Sequence, residues 1–360
     1  VTNSSAQAFT SPSGRTVFRR KHAKADGRRL ILFGYSEPTG APAPESLEGA
    51  GAGAELRWHP LLGEWSIYAA HRQNRTFMPS AAEDPLAPTR PGGPLTEVEF
   101  ANFEVAVFQN RFAGLHPEAD LKEGPHGVRM GVASGDCEVV VFSPDSDGNL
   151  GTLDQDRRQL LVSVWADRYD HLHDAGARFV MPFESRGREV GVTLPHPHGQ
   201  IYAFPFVPET QARAAKAFAD GFDLAALLPS WDDYIIERAG PLCAFVPPFA
   251  RYPYEVWIAG RQAVQGPWAF DREGFEAYAY LLGAVTRRYD ALFGREAPTM
   301  MSLQAAPGGQ ASNFQFTTQF YCLLRAPDRL KYFATVEHAS RVFTVDVMPE
   351  AAAKVLREAI

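Results

Sequence analysis

The same order of parts occurs twice in this chain: an amphipathic helix, a strand, a polar glycine-containing loop and a second strand. The first helix is predicted to open with Thr152-Leu153-Asp154-Gln155, whose Thr-x-x-Gln spacing is that of a capping box. Leu161, Val164, Trp165 and Leu172 then recur at helical spacing. The second helix is predicted to begin near Asp271, to carry Phe275, Tyr278, Leu282, Val285, Tyr289 and Leu292, and to end at Gly294. After the first come Glu184-Ser185-Arg186-Gly187 and then His196 to Tyr202; after the second come Ala306-Pro307-Gly308-Gly309 and then Phe314 to Tyr321. Such a repeat points to two similar halves, of which only the first kept histidines in its second strand.

Short β-rich runs surround these units at Arg29–Phe33, Glu64–Ala69, Glu104–Phe108, Glu138–Phe142, Arg178–Phe183, Tyr234–Glu237, Tyr254–Ile258 and Thr299–Leu303. The expected fold class is therefore α+β, with two duplicated halves sharing one extended antiparallel sheet and helices packed on it. Glu37 to Ala54 and Pro85 to Pro94 are rich in Pro, Gly and Ala and read as loops. The expected organisation is an N-terminal extension with a mobile loop over 1–54, a first half over 55–228 and a second over 229–360. The helical stripes are assigned to core packing and to no chemistry.

Composition narrows the function classes. A net charge of −7 gives no basic field for a nucleic-acid partner. No run approaches the roughly 18 apolar residues of a membrane span, and the polar start lacks the apolar stretch of a secretory signal. The three cysteines, Cys137, Cys243 and Cys322, are scattered among apolar residues. They fit buried thiols in a reducing compartment, and a cytoplasmic protein is expected.

His196-Pro197-His198-Gly199-Gln200 is the strongest chemical signal. Alternation along an extended segment puts His196, His198 and Gln200 on one face. An imidazole whose tautomer is fixed can attack phosphorus at neutral pH without a separate base. Gln200 can hydrogen-bond a phosphoryl oxygen but cannot supply a proton to a leaving group, which favours group transfer over hydrolysis.

The stretch Val192 to Tyr202 resembles the active-site signature of galactose-1-phosphate uridylyltransferases, a branch of the histidine-triad superfamily. A second match runs from Arg57-Trp58-His59-Pro60-Leu61-Leu62-Gly63-Glu64-Trp65 to His71-Arg72-Gln73-Asn74-Arg75. Further similarity appears at Val107–Phe112, Cys137–Pro144, Arg251–Glu255 and Leu330–Phe333. The resemblance implies histidine-triad-like halves, a homodimer, and transfer of UMP or another NMP between a UDP-sugar and a sugar 1-phosphate. It implies His198 as the nucleophile and Gln200 as its phosphoryl partner, with Arg72, Arg75 and Asn110 on the nucleotide. It places Lys331, Glu337 and Arg341 at the hexose and hexose-phosphate contacts.

The sequence also departs from that family. Where many members hold a structural zinc, the Cys-x-x-Cys falls at Asp84-Pro85-Leu86-Ala87 and a later histidine is replaced by Ser146, leaving His196. One imidazole cannot form a closed tetrahedral site. The histidines of a second, iron-type site appear as Gln304, Thr317 and Gln319, where amides and a hydroxyl can substitute hydrogen bonds for coordination. No metal or other cofactor is therefore expected, and His196 is expected to orient the loop by hydrogen bonding. Ser185 replaces the usual Asn, and Arg341 stands where a family amide meets the hexose, so a changed acceptor is expected. Three alternatives stay open: a transferase that uses a nucleoside triphosphate, a dinucleotide phosphorylase of the same superfamily, and a non-catalytic nucleotide-sugar-binding protein.

Overall fold

The computed structural model describes residues 6–45, 47–49, 51–74, 83–90, 92–308 and 313–360. In chain order the first half supplies β1 (Gln7–Thr10), β2 (Thr16–Ala23), β3 (Arg29–Gly34), β4 (Glu55–His59), β5 (Glu64–Tyr68), β6 (Val105–Gln109), β7 (Met130–Gly131) and β8 (Asp136–Val141). It continues through α1 (Gln155–Asp174), β9 (Phe179–Arg186), β10 (His198–Phe204), α2 (Glu209–Ala219) and the short α3 (Leu224–Leu227). The second half supplies β11 (Ile235–Ala239), β12 (Leu242–Phe245), β13 (Val256–Gly260), α4 (Arg272–Phe293), β14 (Thr299–Gln304), β15 (Thr317–Cys322), α5 (Thr335–Ser340) and α6 (Pro349–Glu358).

Among the described residues, twelve strands form one sheet in the order β1-β2-β3-β6-β8-β10-β9-β14-β15-β13-β12-β11. Its pairs are antiparallel throughout. The segment β3-β6-β8-β10-β9 is mirrored by β11-β12-β13-β15-β14, with the β9–β14 pair at the centre. Register makes the duplication residue-specific. Gln200 faces Phe183, Phe183 faces Ser302, and Ser302 faces Gln319 across three successive strand pairs. Gln319 is thus the counterpart of Gln200, and Thr317 that of His198.

The expected N-terminal extension over 1–54 needs correction. β1, β2 and β3 are three strands of the main sheet, and β3 pairs with β6 as β11 pairs with β12. Leu30, Ile31, Leu32 and Phe33 are buried on alternating faces, so this segment is part of the first half's core. Apolar surface on both faces of one strand is stable only inside a layered sheet.

The cap of α1 differs from its expected place. Asp154, not Thr152, caps the helix by accepting from the Arg157 N–H. The Thr152 hydroxyl is engaged with the Asn149 backbone, whose N–H donates to it at 2.9 Å, and it donates to Asn149 O at 3.1 Å. The second helix starts and stops where the sequence indicates, with Asp271 as N-cap and Gly294 in the left-handed region at φ 63°.

α1 and α4 cover one face of the sheet. Leu161, Trp165, Phe275, Tyr278 and Leu282 pack there with Ile31, Phe33, Val107, Val140 and Ile201. Each such side chain removed from water contributes about 1.5–3 kcal/mol, and the stripe fixes which face points outward. The outward face is covered in patches: Leu86, Val98, Phe100 and Phe103 on Leu30, Phe108 and Val139, the β5-β4-β7 sheet through Leu56 near Cys137 and Phe179, and α2 and α3 over Cys243, Phe245 and Ala259. His198 and Gln200 share this face. No helix among the described residues is long and apolar enough to cross a membrane.

Candidate active site

The sequence between β9 and β10 turns at Gly187 (φ 98°) and Gly191 (φ 78°), a backbone region that glycine enters without steric cost. It re-enters the sheet at His198. Gly199 lies so close to its neighbours that a β-carbon would stand 2.8 Å from the Phe183 carbonyl oxygen and 3.1 Å from the Phe142 ring. Glycine is needed there for β10 to seat between β8 and β9, which sets the height of His198 and Gln200.

His198 is half-buried, and its Nδ1 lies 2.7 Å from the carbonyl oxygen of His196. A carbonyl only accepts, so Nδ1 carries the proton and the lone pair resides on Nε2. Gln200 is oriented by Asn110. The Phe112 N–H donates to Asn110 Oδ1 at 2.8 Å, so the other end of Asn110 is its NH2 group. That group donates to Gln200 Oε1 at 3.1 Å, which leaves the Gln200 NH2 as a donor on the strand face it shares with His198.

His196 is 1% exposed and Asp84 5%. The His196 Nδ1 stands 2.6 Å from Asp84 Oδ2, and its Nε2 stands 2.7 Å from the Ser143 carbonyl oxygen. Satisfying two acceptors takes a proton on each ring nitrogen. Asp84 also accepts from the Leu86 N–H at 2.9 Å through its other oxygen. Burial pushes the Asp84 carboxyl upward, but the His196 hydrogen bond, the Leu86 N–H and the two neighbouring histidines outweigh it and hold it below its usual value.

This geometry does not fit a zinc ion. Both His196 nitrogens are committed to protein acceptors, Ala87 has no ligand atom, and Ser146 is exposed. At the second family position, Gln304 Nε2 donates to Ser302 Oγ at 2.8 Å, Gln319 Nε2 donates to Thr317 Oγ1 at 3.0 Å, and Gln211 Nε2 donates to Gln304 Oε1 at 3.2 Å. Those neutral groups satisfy one another. Among the described residues no set of three or more His, Cys, Asp or Glu is placed to hold a metal ion.

Clefts surround His198 on several sides. One is walled by Pro85, Leu86, Phe108, Val139 and Leu194 and edged by Asn110 and Gln200, a shape suited to an aromatic base with its phosphates near the strand. A second is lined by Ser185, Gly191, Thr193 and Gln200. A third contains Asn149, Glu184, Arg186 and Glu296. Glu184 is 7% exposed, and burial pushes its carboxyl up to about 7; Arg186 opposes the shift, while Asp290 and Glu296 add to it.

The structure brings together His198, Gln200, His196 and Asn110. Arg72 joins their margin: its guanidinium donates to the Tyr202 hydroxyl at 2.8 Å and to Phe112 O at 3.3 Å, and Tyr202 follows His198 and Gln200 on the same strand face. Arg75 lies outside the described residues. Lys331, Glu337 and Arg341 line none of the three clefts. Lys331 is paired with Glu337, and Arg341 reaches Glu64 at 3.9 Å. The Glu337 carboxylate also accepts from the N–H groups of Ala334 (3.0 Å) and Thr344 (2.9 Å). Lys331 and these two N–H groups hold it down to about 2. Sequence reasoning missed Asp84 and Tyr202. Asp84 looked like a lost cysteine in a loop, and its pairing with His196 becomes visible only in the fold.

A tautomer-fixed imidazole, an oriented amide donor and an apolar cleft beside them are the parts that a nucleotidyl-transfer site requires. Residues 50–208 match the family described as galactose-1-phosphate uridyl transferase, N-terminal domain. The chain is 36% identical to a galactose-1-phosphate uridylyltransferase of Thermotoga maritima over 322 residues, covering 84% of this chain and 98% of that protein. It is 32% identical to one of Streptomyces lividans over 356 residues, covering 93% and 96%. A solved structure of a uridylyltransferase superposes with a TM-score of 0.76 at 24% identity, over 85% of this chain and 98% of that one, which shows the shared fold. The chain belongs to the galactose-1-phosphate uridylyltransferase family, and its activity is transfer of UMP between a nucleotide sugar and a sugar 1-phosphate.

Proposed function

We propose that the reaction passes through a covalent nucleotidyl-His198 intermediate. The observation that carries this reading is the 2.7 Å contact of His198 Nδ1 with the His196 carbonyl oxygen, which leaves the lone pair on Nε2. Nε2 forms a bond to the α-phosphorus of a UDP-sugar while the bond from that phosphorus to the β-phosphate oxygen breaks, releasing sugar 1-phosphate as an anion. A second sugar 1-phosphate then attacks the same phosphorus through a phosphate oxygen and frees Nε2. The Gln200 NH2 donates to the phosphoryl oxygens as their charge grows.

In this reading Arg72, Arg75 and Asn110 serve the nucleotide, with Arg72 presented by Tyr202 and Asn110 acting through Gln200. Lys331 and Arg341 serve the sugar phosphate, with Glu337 holding Lys331 in place. The first half, including β1 to β3, supplies the chemistry, and the half from 229 onward supplies the sugar-phosphate contacts. The segment carrying those contacts also exposes Tyr332, Phe333, Val336 and Val342, an apolar surface suited to a second copy of the chain in a homodimer. Three buried free thiols accord with the reducing cytoplasm and a role in carbohydrate metabolism there.

The test is incubation with UDP-glucose, with other UDP-sugars and with UTP, followed by intact mass spectrometry. An acid-labile gain of about 306 Da, lost in His198→Ala, is expected for UMP on a histidine. No adduct with any donor, or an adduct that persists in His198→Ala, overturns the covalent reading.

A further inference from the structure

We propose that the buried Asp84–His196 pair is a metal-free clasp in which Asp84 is a positioning residue for both the nucleophile and the wall of the nucleotide cleft. The proposal rests on His198 being the nucleophile. It concerns how that residue is held without metal coordination.

Four contacts run through the pair in one line. The Leu86 N–H donates to Asp84 Oδ1 at 2.9 Å, and His196 Nδ1 donates to Asp84 Oδ2 at 2.6 Å. His196 Nε2 donates to Ser143 O at 2.7 Å, and the His196 carbonyl accepts the His198 Nδ1 proton at 2.7 Å. One end of this line is Leu86, which with Pro85 walls the cleft opposite Phe108 and Val139. The other end is the reacting imidazole. Asp84 therefore touches neither substrate nor reacting atoms, yet it reaches both through a single residue on each side.

Charge explains why a carboxylate can stand in a metal's place. Four ligands around zinc tie separate chain segments to one point. Here the segments to be tied are the 84–86 turn, the chain after β8 at Ser143 and the strand of the nucleophile, and a doubly protonated imidazole against a carboxylate ties all three. Both partners are almost wholly buried, so the pair is held in one geometry, and removing either partner leaves the other charged or polar group without a match. A neutral amide at position 84 could still accept one bond from His196 but would leave no opposite charge.

The clasp is tested by measuring single-turnover nucleotidylation from UDP-glucose in wild type, Asp84→Asn and Asp84→Ala, each first shown to be folded by its thermal transition. The expected order of rates is Asp, then Asn, then Ala, with Asp84→Ala slowed by roughly 10- to 100-fold and its KM for UDP-glucose raised as the Leu86 wall loosens. Wild type dialysed against a chelator is expected to keep its full rate and to contain no stoichiometric zinc. Adduct formation in both variants at the wild-type rate overturns the clasp while leaving His198 as nucleophile; absence of adduct in wild type overturns the nucleophile instead. Stoichiometric zinc whose removal stops the reaction also overturns it. Should the Asp84 variants not fold, proton NMR of wild type decides. Two slowly exchanging ring N–H signals from His196, identified by their loss in His196→Gln, support the clasp, and a single ring N–H contradicts it.

Discussion

Asn110 Nδ2 donates to Gln200 Oε1 at 3.1 Å, and because the other end of Asn110 is fixed by the Phe112 N–H, this one bond determines which way the Gln200 amide faces. Asn110→Ala is expected to let that amide rotate, so that its oxygen meets a phosphoryl oxygen part of the time. The single-turnover rate should fall by about 10-fold, equivalent to about 1.4 kcal/mol. Gln200→Ala, which removes the donor altogether, should fall further, by roughly 100-fold, the lower end of the range seen when one donor to a developing oxyanion is lost. Equal rates in wild type and Gln200→Ala would remove the amide from the mechanism.

Arg72 is held by the Tyr202 hydroxyl. Arg72→Lys keeps the charge and loses the planar fork, so KM for the nucleotide sugar is expected to rise several-fold with a smaller change in kcat. Tyr202→Phe should shift KM in the same direction by less. Steady-state kinetics on the two variants checks both, and a kcat loss at unchanged KM would place Arg72 at the reacting phosphate.

Glu184 gives the fold a pH dependence of known sign. Its carboxyl titrates near 4.5 when unfolded and is pushed to about 7 when folded. The folded state therefore keeps a proton that the unfolded state has given up, so this group's contribution is full below about pH 4.5 and is lost as pH rises through 7. The shift corresponds to roughly 3 kcal/mol at most. Glu184→Gln, neutral at every pH, should raise the thermal midpoint over wild type at pH 8.5 and give much less advantage at pH 5. The same difference at both values would show that charge is not the cause.

Arg168 is 3% exposed and meets Glu138 through two bonds, at 2.9 and 2.8 Å, on the helix-covered face. Arg168→Ala leaves the buried Glu138 carboxylate only its longer contact with Arg29 at 3.6 Å and is expected to cost about 3 kcal/mol, whereas replacing both residues by apolar ones of similar volume should cost less. Urea titrations of the single variant and of Arg168→Met/Glu138→Leu distinguish a requirement for the pair from a requirement for filled space.

The features legible in the sequence were those carried by local pattern. The Asp271 cap and Gly294 stop of α4, the strand cores and the duplicated order depend on spacing along the chain, and they stand where expected. The face shared by His198 and Gln200 follows from strand alternation in the same way. Features that depend on distant pairing were not legible. Arg29 to Phe33 read as a strand from its own residues, but its place in the main sheet beside β2 and β6 depends on pairing with segments far along the chain. Thr152 looked like a cap because nothing local reveals that Asn149 engages its hydroxyl first. Asp84 lies 112 positions from His196, and no spacing rule connects them.

The β9–β14 junction lies at the middle of the sheet. The second copy lacks the histidines of the first but not its alignment, because Thr299 to Ser302 match Arg186 to Phe183 residue for residue. On the outward face of β14 and β15, Gln304 and Gln319 are satisfied by neighbouring hydroxyls, whereas a one-residue insertion in β14 would turn every side chain over and misplace Phe183, the direct neighbour of Gln200. The second copy thus acts as a template that preserves the spacing of His198 and Gln200 in the first.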